Sequence, residues 1–264
     1  MNDQNLMEKI ISLCKRRGFV FPGSEIYGGF AGTYDFGHYG VLLRENVVNL
    51  WTRAMREHDN IALLDSSIFT SGKVWEASGH VSGFSDPMVV CNNCHTKFRA
   101  DHLLETVGVT ADEKMSEEQI NALFDGQRPT LHCPVCGKQS FSKVSATSLL
   151  ATSTLGMFKE DDEQVYLRGE TAQGIFINYR NILDMGFYSV PFGIAQVGKV
   201  FRNEISPRQF LFRKREFEQM EMQYFVHPSE AKELYDVWRQ ERMDYYDRLG
   251  LKREKLRWKQ HENL

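Results

Sequence analysis

The segment Phe201–Glu221 reads FRNEISPRQFLFRKREFEQME. Four arginines and a lysine stand among four phenylalanines, and carboxylates follow the last of the cations. Residues 206–209, SPRQ, form a turn signal between two strand-like runs. Strand side chains alternate between faces. In such a hairpin, one face of the second strand carries Arg213, Arg215, Phe217, Gln219 and Glu221. The other face carries Lys214, Glu216, Glu218, Met220 and Met222, and Arg202 and Glu204 share a face on the first strand. The first of these faces is sorted into cations, a ring, an amide and a carboxylate. Arginine forks bind phosphate oxygens, a phenyl ring beside them stacks on a base, and a carboxylate beyond holds an ammonium group. The order suits a nucleotide followed by an amine. Spacing alone leaves open a plain solvated hairpin with cross-strand salt bridges.

Outward from the hairpin, the chain alternates helical and strand-like segments. Residues 3–17 have helical spacing and stop at Gly18; the stripe Leu6, Ile10, Leu13, Cys14 makes Cys14 a buried thiol of this first helix. Residues 21–40, dense in glycine and aromatic rings, read as a loop or short hairpin, and residues 41–58 as a long amphipathic helix. NIALLDSSIF (60–69) reads as a strand, and 72–90 as irregular chain running into another short strand. SEEQINALF opens with a capping box of Ser116 and Gln119. QVYLRGE, FGIAQVGKVFRNEI and FLFRKREFEQMEMQYFV then read as strands, AQGIFINYRNIL and residues 229–249 as helices, and KLRWKQH (255–261) as a final strand. Long strands joined by a tight turn predict a mainly antiparallel sheet with helices on it, an α+β fold.

The composition is that of a globular protein, with 42% hydrophobic and 25% charged residues among 264. A net charge of −3 provides no global basic field, so any polyanion must be met by a local patch. The first 18 residues carry acids and polar groups where a signal peptide needs an apolar run, and no apolar run is long enough to span a bilayer; a cytoplasmic, membrane-free protein is expected. Four of five cysteines form the pairs Cys91-x-x-Cys94 and Cys133-x-x-Cys136, the local spacing of zinc knuckles. The gap between the pairs is longer than in common zinc ribbons, and the inserted helix accounts for it. A metal-free remnant and disulfides are the alternatives, and His95 and His132 adjoin the pairs as alternative ligands. A zinc-deaminase site lacks its H-x-E partner here. The expected site is closed and structural.

Six ordered blocks carry a family resemblance. FRNEISPRQFLFRKREF resembles motif 2 of the class II aminoacyl-tRNA synthetases. With YGGFAGTYDFGHYGVLLRENV, VWEASGHVSGFSDP, FRADHL, RGETAQGIFINY and REFEQME, the chain is similar to the glycyl-tRNA synthetases of the single-chain homodimeric type, from about Arg17 onward. The resemblance implies a class II antiparallel sheet flanked by helices over residues 1–264, with a zinc-ribbon-like insertion over 88–145 that leans on the tRNA acceptor stem. It implies activation of glycine by ATP and magnesium, transfer to tRNA(Gly), structural Zn2+, and a homodimer through the motif 1 region, Val41–Ser67. Arg202 would contact the α-phosphate, Glu204 the adenine or the tRNA end, and Arg213 the γ-phosphate, these three being the catalytic set. Phe217 would stack on adenine, and Asn203, Phe212, Lys214, Arg215 and Glu216 would complete the ATP site. Glu170 and Glu221 would hold the glycine ammonium, with Arg99, Phe217, Glu218, Gln219 and Met220 lining the same pocket.

Two features depart from the family pattern. Gly169 stands where proline is usual, which loosens the chain just before Glu170. Motif 3, with its GxGxxR arginine, the third glycine-site acid and the anticodon-binding domain are absent; GLKR at 250–253 is not motif 3. The expectation is the N-terminal part of a glycine–tRNA ligase, with weak or no aminoacylation alone. A non-catalytic class II-like module that binds tRNA or a protein partner is the competing reading. A zinc-ribbon nucleic-acid binder explains only the cysteines.

Overall fold

The computed structural model describes residues 3–112, 115–156, 163–204 and 210–259. The chain forms α1 (Asp3–Arg16), the hairpin β1 (Val20–Pro22) and β2 (Tyr34–Phe36), α2 (His38–Arg56), β3 (Ile61–Leu63), β4 (Phe69–Thr70), α3 (Gly72–Ala77) and α4 (His80–Gly83). Next come β5 (Ser85–Val90), β6 (Lys97–Arg99), α5 (Ala100–Glu105), α6 (Glu117–Gln127), β7 (Ser145–Ser148), β8 (Ala151–Leu155) and β9 (Glu163–Leu167). The described chain closes with α7 (Ala172–Asp184), β10 (Phe192–Phe201), β11 (Glu216–Phe225) and α8 (Ala231–Arg248).

The site is built on the sheet β11-β10-β3. β10 and β11 pair antiparallel over their whole length, from Phe192↔Phe225 to Phe201↔Glu216, and β3 lies parallel to the start of β10. Helices cover both faces of this sheet, so β10 is nearly continuous in apolar character. On one face Ala195 packs with Trp51, Ala54 and Met55 of α2 and Tyr245 of α8. The spacing of 51, 54 and 55 is that of one helical stripe. On the other face Phe192 and Ile194 pack with Ile175 and Ile182 of α7. A second antiparallel sheet runs β4-β9-β8. The third, β6-β5-β7, has a hydrophobic cluster of its own, in which Val89, Phe98, Leu103, Leu104, Phe124 and Phe141 are buried. The α6 capping box forms as its sequence predicts: the Ser116 hydroxyl accepts from the Gln119 backbone, and Gln119 Oε1 accepts from the Ser116 backbone. This is a mixed α+β fold with mainly antiparallel sheets.

Several expectations are corrected. Residues 72–83 are helical rather than irregular, in two pieces of six and four residues separated by Gly79 at φ +78°. Pieces that short show no periodicity. NIALLDSSIF splits into β3 and β4, because Ser66 turns aside to bond Gln196 through both its backbone N–H and its hydroxyl. The second hairpin strand begins only at Glu216: Phe210–Phe212 form a 3-10 turn, and the backbone N–H of Arg215 donates to Gly32 of the β1–β2 loop. Strand alternation therefore does not extend to Arg213 and Arg215. SPRQ lies outside the described residues. No strand forms over residues 256–259, which follow a 3-10 turn at Arg253–Lys255, and residues 260–261 of the expected strand lie outside the described residues. Cys14 is half-buried, and Leu6, Ile10 and Leu13 on its stripe are exposed.

Arg168 ties the sheets together. Its Nη1 donates to the Ser66 carbonyl (2.6 Å) and its Nε to the Lys199 carbonyl (2.7 Å), and burial pushes its pKa down. The guanidinium lies against Gly198, where a Cβ would stand 2.1 Å from Nη2. Gly198→Ala is expected to cost about 2 kcal/mol by overpacking, roughly 4–8 °C in Tm for a chain of this size. Thermal unfolding checks this, and an unchanged Tm would mean that Arg168 is free to shift.

Candidate active site

The arginine end of the site starts where β10 stops. Arg202 forms an isolated bridge with Leu150, and its guanidinium sits between two rings, 5.2 Å from the centroid of Phe84 and 5.4 Å from that of Phe217. Its Nε donates to the Gly169 carbonyl (3.1 Å), so the glycine that departs from the family pattern contributes its backbone to the clamp. Glu204 is only 7% exposed and pairs with Arg213 at 2.7 Å, and Arg215 donates to the Glu204 carbonyl at 2.8 Å. Arg215 also lies over Phe30, at 4.8 Å. Arg99 is fixed between Asp86 (2.7 Å) and Asp101 (2.6 Å); the Asp101 hydrogen bonds hold its pKa up, and Glu204 adds to that through its field. Asn203 is exposed and Phe212 largely so. A cavity of about 720 Å³ is lined by Arg202, Glu204, Arg213 and Phe217, and on the α2 side of β11 by Arg44, Glu218 and Met220.

The acids gather at the start of α7. The Thr171 backbone N–H donates to Gln219 Oε1 (3.0 Å), and its hydroxyl donates to Glu221 Oε2. Gln223 Nε2 donates to Glu221 Oε1 at 2.8 Å. Glu170 Oε1 accepts from Gln173 Nε2 (2.8 Å) and lies 3.2 Å from His80 Nε2. The dipole of a 13-residue helix favours carboxylates at this end. A second cavity, about 400 Å³, is lined by Glu170, Gln173, Trp75, Ser66 and Arg168, among others. The larger cavity thus holds both cations and carboxylates and reaches α2, and Glu170 lines the smaller.

Strand alternation divides the remaining expected residues. Phe217, Gln219 and Glu221 share the α7 face of β11 with Arg202 and Thr171. Glu218 and Met220 point the other way, which corrects their placement in the acidic pocket. Both oxygens of Glu218 bind Arg44 of α2, whose guanidinium holds the carboxyl below the usual range, and Met220 packs with the α2 core. Glu216 pairs with Lys199 at 2.6 Å. Lys214 lies over the Phe36 ring at 5.1 Å, and burial pushes its pKa down. His80, Phe84, Thr171 and Gln173 are the residues that sequence reasoning missed. All four lie inside the blocks VWEASGHVSGFSDP and RGETAQGIFINY, and Thr171 and Gln173 stand one and three residues after Glu170.

The two cysteine pairs come together. Cys91 Sγ lies 3.6 Å from Cys136 Sγ, Cys94 Sγ lies 3.6 Å from Cys133 Sγ, and all four sulfurs fall within 4.8 Å of one another. A tetrahedral thiolate site with Zn–S near 2.3 Å has sulfur edges of about 3.8 Å, so the set fits such an ion. The Thr96 hydroxyl and backbone hold the Cys94 thiol down to about 6, the Lys138 backbone lowers Cys136, and burial pushes Cys133 up to about 11. His132 is turned away, with Nδ1 3.0 Å from the Thr130 carbonyl and Nε2 3.0 Å from Gln139. The two turns repeat one geometry. His95 and Gly137 each donate to the carbonyl four residues back, Cys91 and Cys133 each donate to the carbonyl five residues on, and both central residues have positive φ, 56° and 72°. Only one of the two is glycine. Gly137→Ala is therefore expected to lose roughly 1–2 kcal/mol while His95→Gly loses nothing. Denaturant midpoints would show this asymmetry, and equal losses would contradict it.

Comparison with known proteins bears on the family. Residues 154–263 match the family tRNA synthetase class II core domain (G, H, P, S and T). The chain is 42% identical over 263 residues to the glycine–tRNA ligase of Caldanaerobacter subterraneus subsp. tengcongensis, covering 97% of this chain and 56% of that protein. It is 44% identical over 263 residues to the glycine–tRNA ligase of Treponema denticola, covering 99% and 54%, and 46% identical over 257 residues to that of Streptomyces coelicolor, covering 97% and 54%. The chain thus spans about half the length of the curated relatives it matches. The fold is shared with the RNA binding domain of threonyl-tRNA synthetase from Cryptosporidium parvum Iowa II, at a TM-score of 0.54 and 13% identity, over 90% of this chain and 42% of that one. With motif 2, the sheet that carries it and these relatives in agreement, residues 154–263 match a class II tRNA synthetase core domain, and the chain is similar over nearly its whole length to the glycine–tRNA ligases.

Proposed function

We propose that the chain carries the ATP- and glycine-binding residues of a glycine–tRNA ligase. The observation that supports this most is the α7 face of β11, where Phe217, Gln219 and Glu221 follow one another from the ring-clamped Arg202 to the acids at the α7 start. Phe217 offers its face to adenine, Arg202 and Arg213 take phosphate oxygens, and Glu170 and Glu221 hold the glycine ammonium. A glycine carboxylate oxygen attacks the α-phosphorus of magnesium-bound ATP; the bond to the β-phosphate oxygen breaks and pyrophosphate leaves. A terminal tRNA hydroxyl then attacks the glycyl carbonyl carbon, loses its proton, and AMP leaves. The protein aligns two anions and stabilises charge on phosphate, so arginines serve where a nucleophilic side chain would have no task. The Arg213–Glu204 pair holds Arg213 in place until phosphate competes for it. Glycine has no side chain to grip, so rejection of alanine rests on denying space to a methyl group.

The four cysteines hold Zn2+ in a closed structural site, and residues 88–145 form an inserted subdomain around it that leans on the tRNA acceptor stem. A second copy of the chain docks on the motif 1 side. Exposed apolar residues on α2 support this, Leu42 at 45% and Leu43 at 56%. Among the described residues, no helix is long and apolar enough to cross a membrane.

Calorimetric titration with a non-hydrolysable glycyl-adenylate analogue, beside alanyl and seryl analogues, tests the substrate. The glycyl compound is expected to bind at least about ten-fold more tightly. Glu221→Gln should weaken it roughly ten-fold by removing a charged partner, with ATP affinity changed less than about two-fold. Equal loss of both ligands would remove Glu221 from the ammonium site. For the metal, elemental analysis of protein never exposed to chelator should find about one zinc per chain, and well under one would overturn the assignment.

A further inference from the structure

The inserted subdomain sorts its charges by layer. Residues 91–99 and 132–143, which hold the two cysteine turns, contain no acid and carry Lys97, Lys138 and Lys143. The carboxylates stand on the helices instead, Asp101 and Glu105 on α5 and Glu117, Glu118 and Asp125 on α6. Phe98 and Val144 are buried in one cluster with Leu103, Leu104, Ile120 and Phe124, so α5 and α6 cover that face of the sheet β6-β5-β7. Strand alternation turns Lys97 and Arg99, on either side of Phe98, to the opposite face. Three exposed lysines meet at the cysteine end. Lys97 stands opposite Val90 of β5, and from the other side the Ser142 backbone N–H donates to the Val90 carbonyl at 2.9 Å. Lys97 and the step from Ser142 to Lys143 thus flank one strand end, about 10 Å apart across two strand spacings. The turn that carries Lys138 is joined to them at Asn92, which donates through its backbone to the Ser140 carbonyl (2.9 Å) and through Nδ2 to the Ser140 hydroxyl (3.0 Å). None of the three lysines forms an ion pair among the described residues, whereas Arg99 and Arg128 of the same subdomain do. The face also leads inward: next to Lys97 it carries Arg99, which lies in the field of Glu204 at the candidate ATP site.

We propose that the cysteine end of the inserted subdomain is an RNA-binding surface, on which Lys97, Lys138 and Lys143 hold the phosphate backbone of the tRNA acceptor stem while α5 and α6 face away from it. This rests on the reading of the subdomain as a tRNA contact, and it names the face that makes the contact. Ammonium groups without carboxylate partners can take phosphate oxygens without first breaking an ion pair, and the acids on the helices would repel the same backbone. An A-form duplex offers its backbone more readily than its base edges, which suits point charges on flexible stems. A duplex lying along this face has its end directed toward Arg99 and Glu204.

The test is binding of a short RNA hairpin with a single-stranded 3′ end, followed by fluorescence anisotropy over a range of salt. The triple variant Lys97→Ala, Lys138→Ala, Lys143→Ala is expected to bind at least about ten-fold more weakly at low salt, with the log–log salt slope reduced by roughly 2–3, close to one per lost phosphate contact. A control variant, Lys9→Ala, Lys232→Ala, Lys252→Ala, removes three exposed lysines elsewhere and should stay within about two-fold. An unchanged slope in the first variant, or an equal loss in the control, overturns this surface and leaves open to the subdomain a contact by another face. Poly-glutamate that binds as tightly as the hairpin, with the same lysine dependence, marks a site for acidic protein and overturns the proposal as well. An unmodified chain that does not bind the hairpin even at low salt overturns the tRNA contact of the subdomain and this proposal with it. If the triple variant fails to fold, chemical acetylation of the unmodified chain decides: the hairpin should shield Lys97, Lys138 and Lys143 and leave Lys9 and Lys232 reactive, and equal shielding of all five overturns the proposal.

Discussion

The register of β10 against β11 governs everything else at the site. Val200 faces Phe217, Gly198 faces Gln219, and Gln196 faces Glu221. A slip of one residue would exchange the two faces of β11. Phe217, Gln219 and Glu221 would then turn toward α2, and Glu218 and Met220 would turn toward Thr171. Apolar packing fixes the register from both sides, with Ala195 against α2 and Ile194 against α7. Arg168 adds a lock that no slipped register could keep, because only a glycine opposite Gln219 leaves room for its guanidinium.

Around that hairpin, polar groups near the core are satisfied mostly by one another, and this gives the site its shape before any ligand arrives. Gln196, 1% exposed, accepts from Ser66 and donates to the Thr171 carbonyl, so the β3–β4 connection and the start of α7 are bonded to the same strand. Thr171 then reaches two β11 side chains from a single residue. Leaving any of these buried groups unpaired would cost about 1–3 kcal/mol, so the network is cooperative and its members move together. Trp75 Nε1 and Gln173 Oε1 are the buried exceptions that line the smaller cavity.

Much of this was legible in the sequence, and the limits have physical causes. α2 and α7 showed themselves through helical period, and α6 through a capping box whose two hydrogen bonds both form. The four cysteines converge as their spacing implied, yet the shared geometry of the two turns was not legible, since His95 gives no hint that it takes the conformation that Gly137 takes. Period two correctly sorted Phe217, Gln219 and Glu221. It failed for Arg213 and Arg215 because their backbone is claimed by a loop far away in sequence, at Gly32. Glu218 read as one more acid beside the pocket; only the position of α2 shows that it belongs to Arg44. His80 and Phe84 were hidden because helices of four and six residues carry no periodic signal, and their roles arise only when that segment folds beside β9 and meets Glu170 and Arg202.

The placement of Arg202 between two rings has a kinetic side as well as a geometric one. An arginine free in solvent samples many rotamers, with about 2 kcal/mol of side-chain entropy to lose on being fixed. Phe84, Phe217 and the Gly169 carbonyl confine this one. That freedom is surrendered once, when the chain folds, and not again at each encounter with a nucleotide. The clamp also holds the guanidinium beside both rings, so an arriving phosphate meets a charge already held in place.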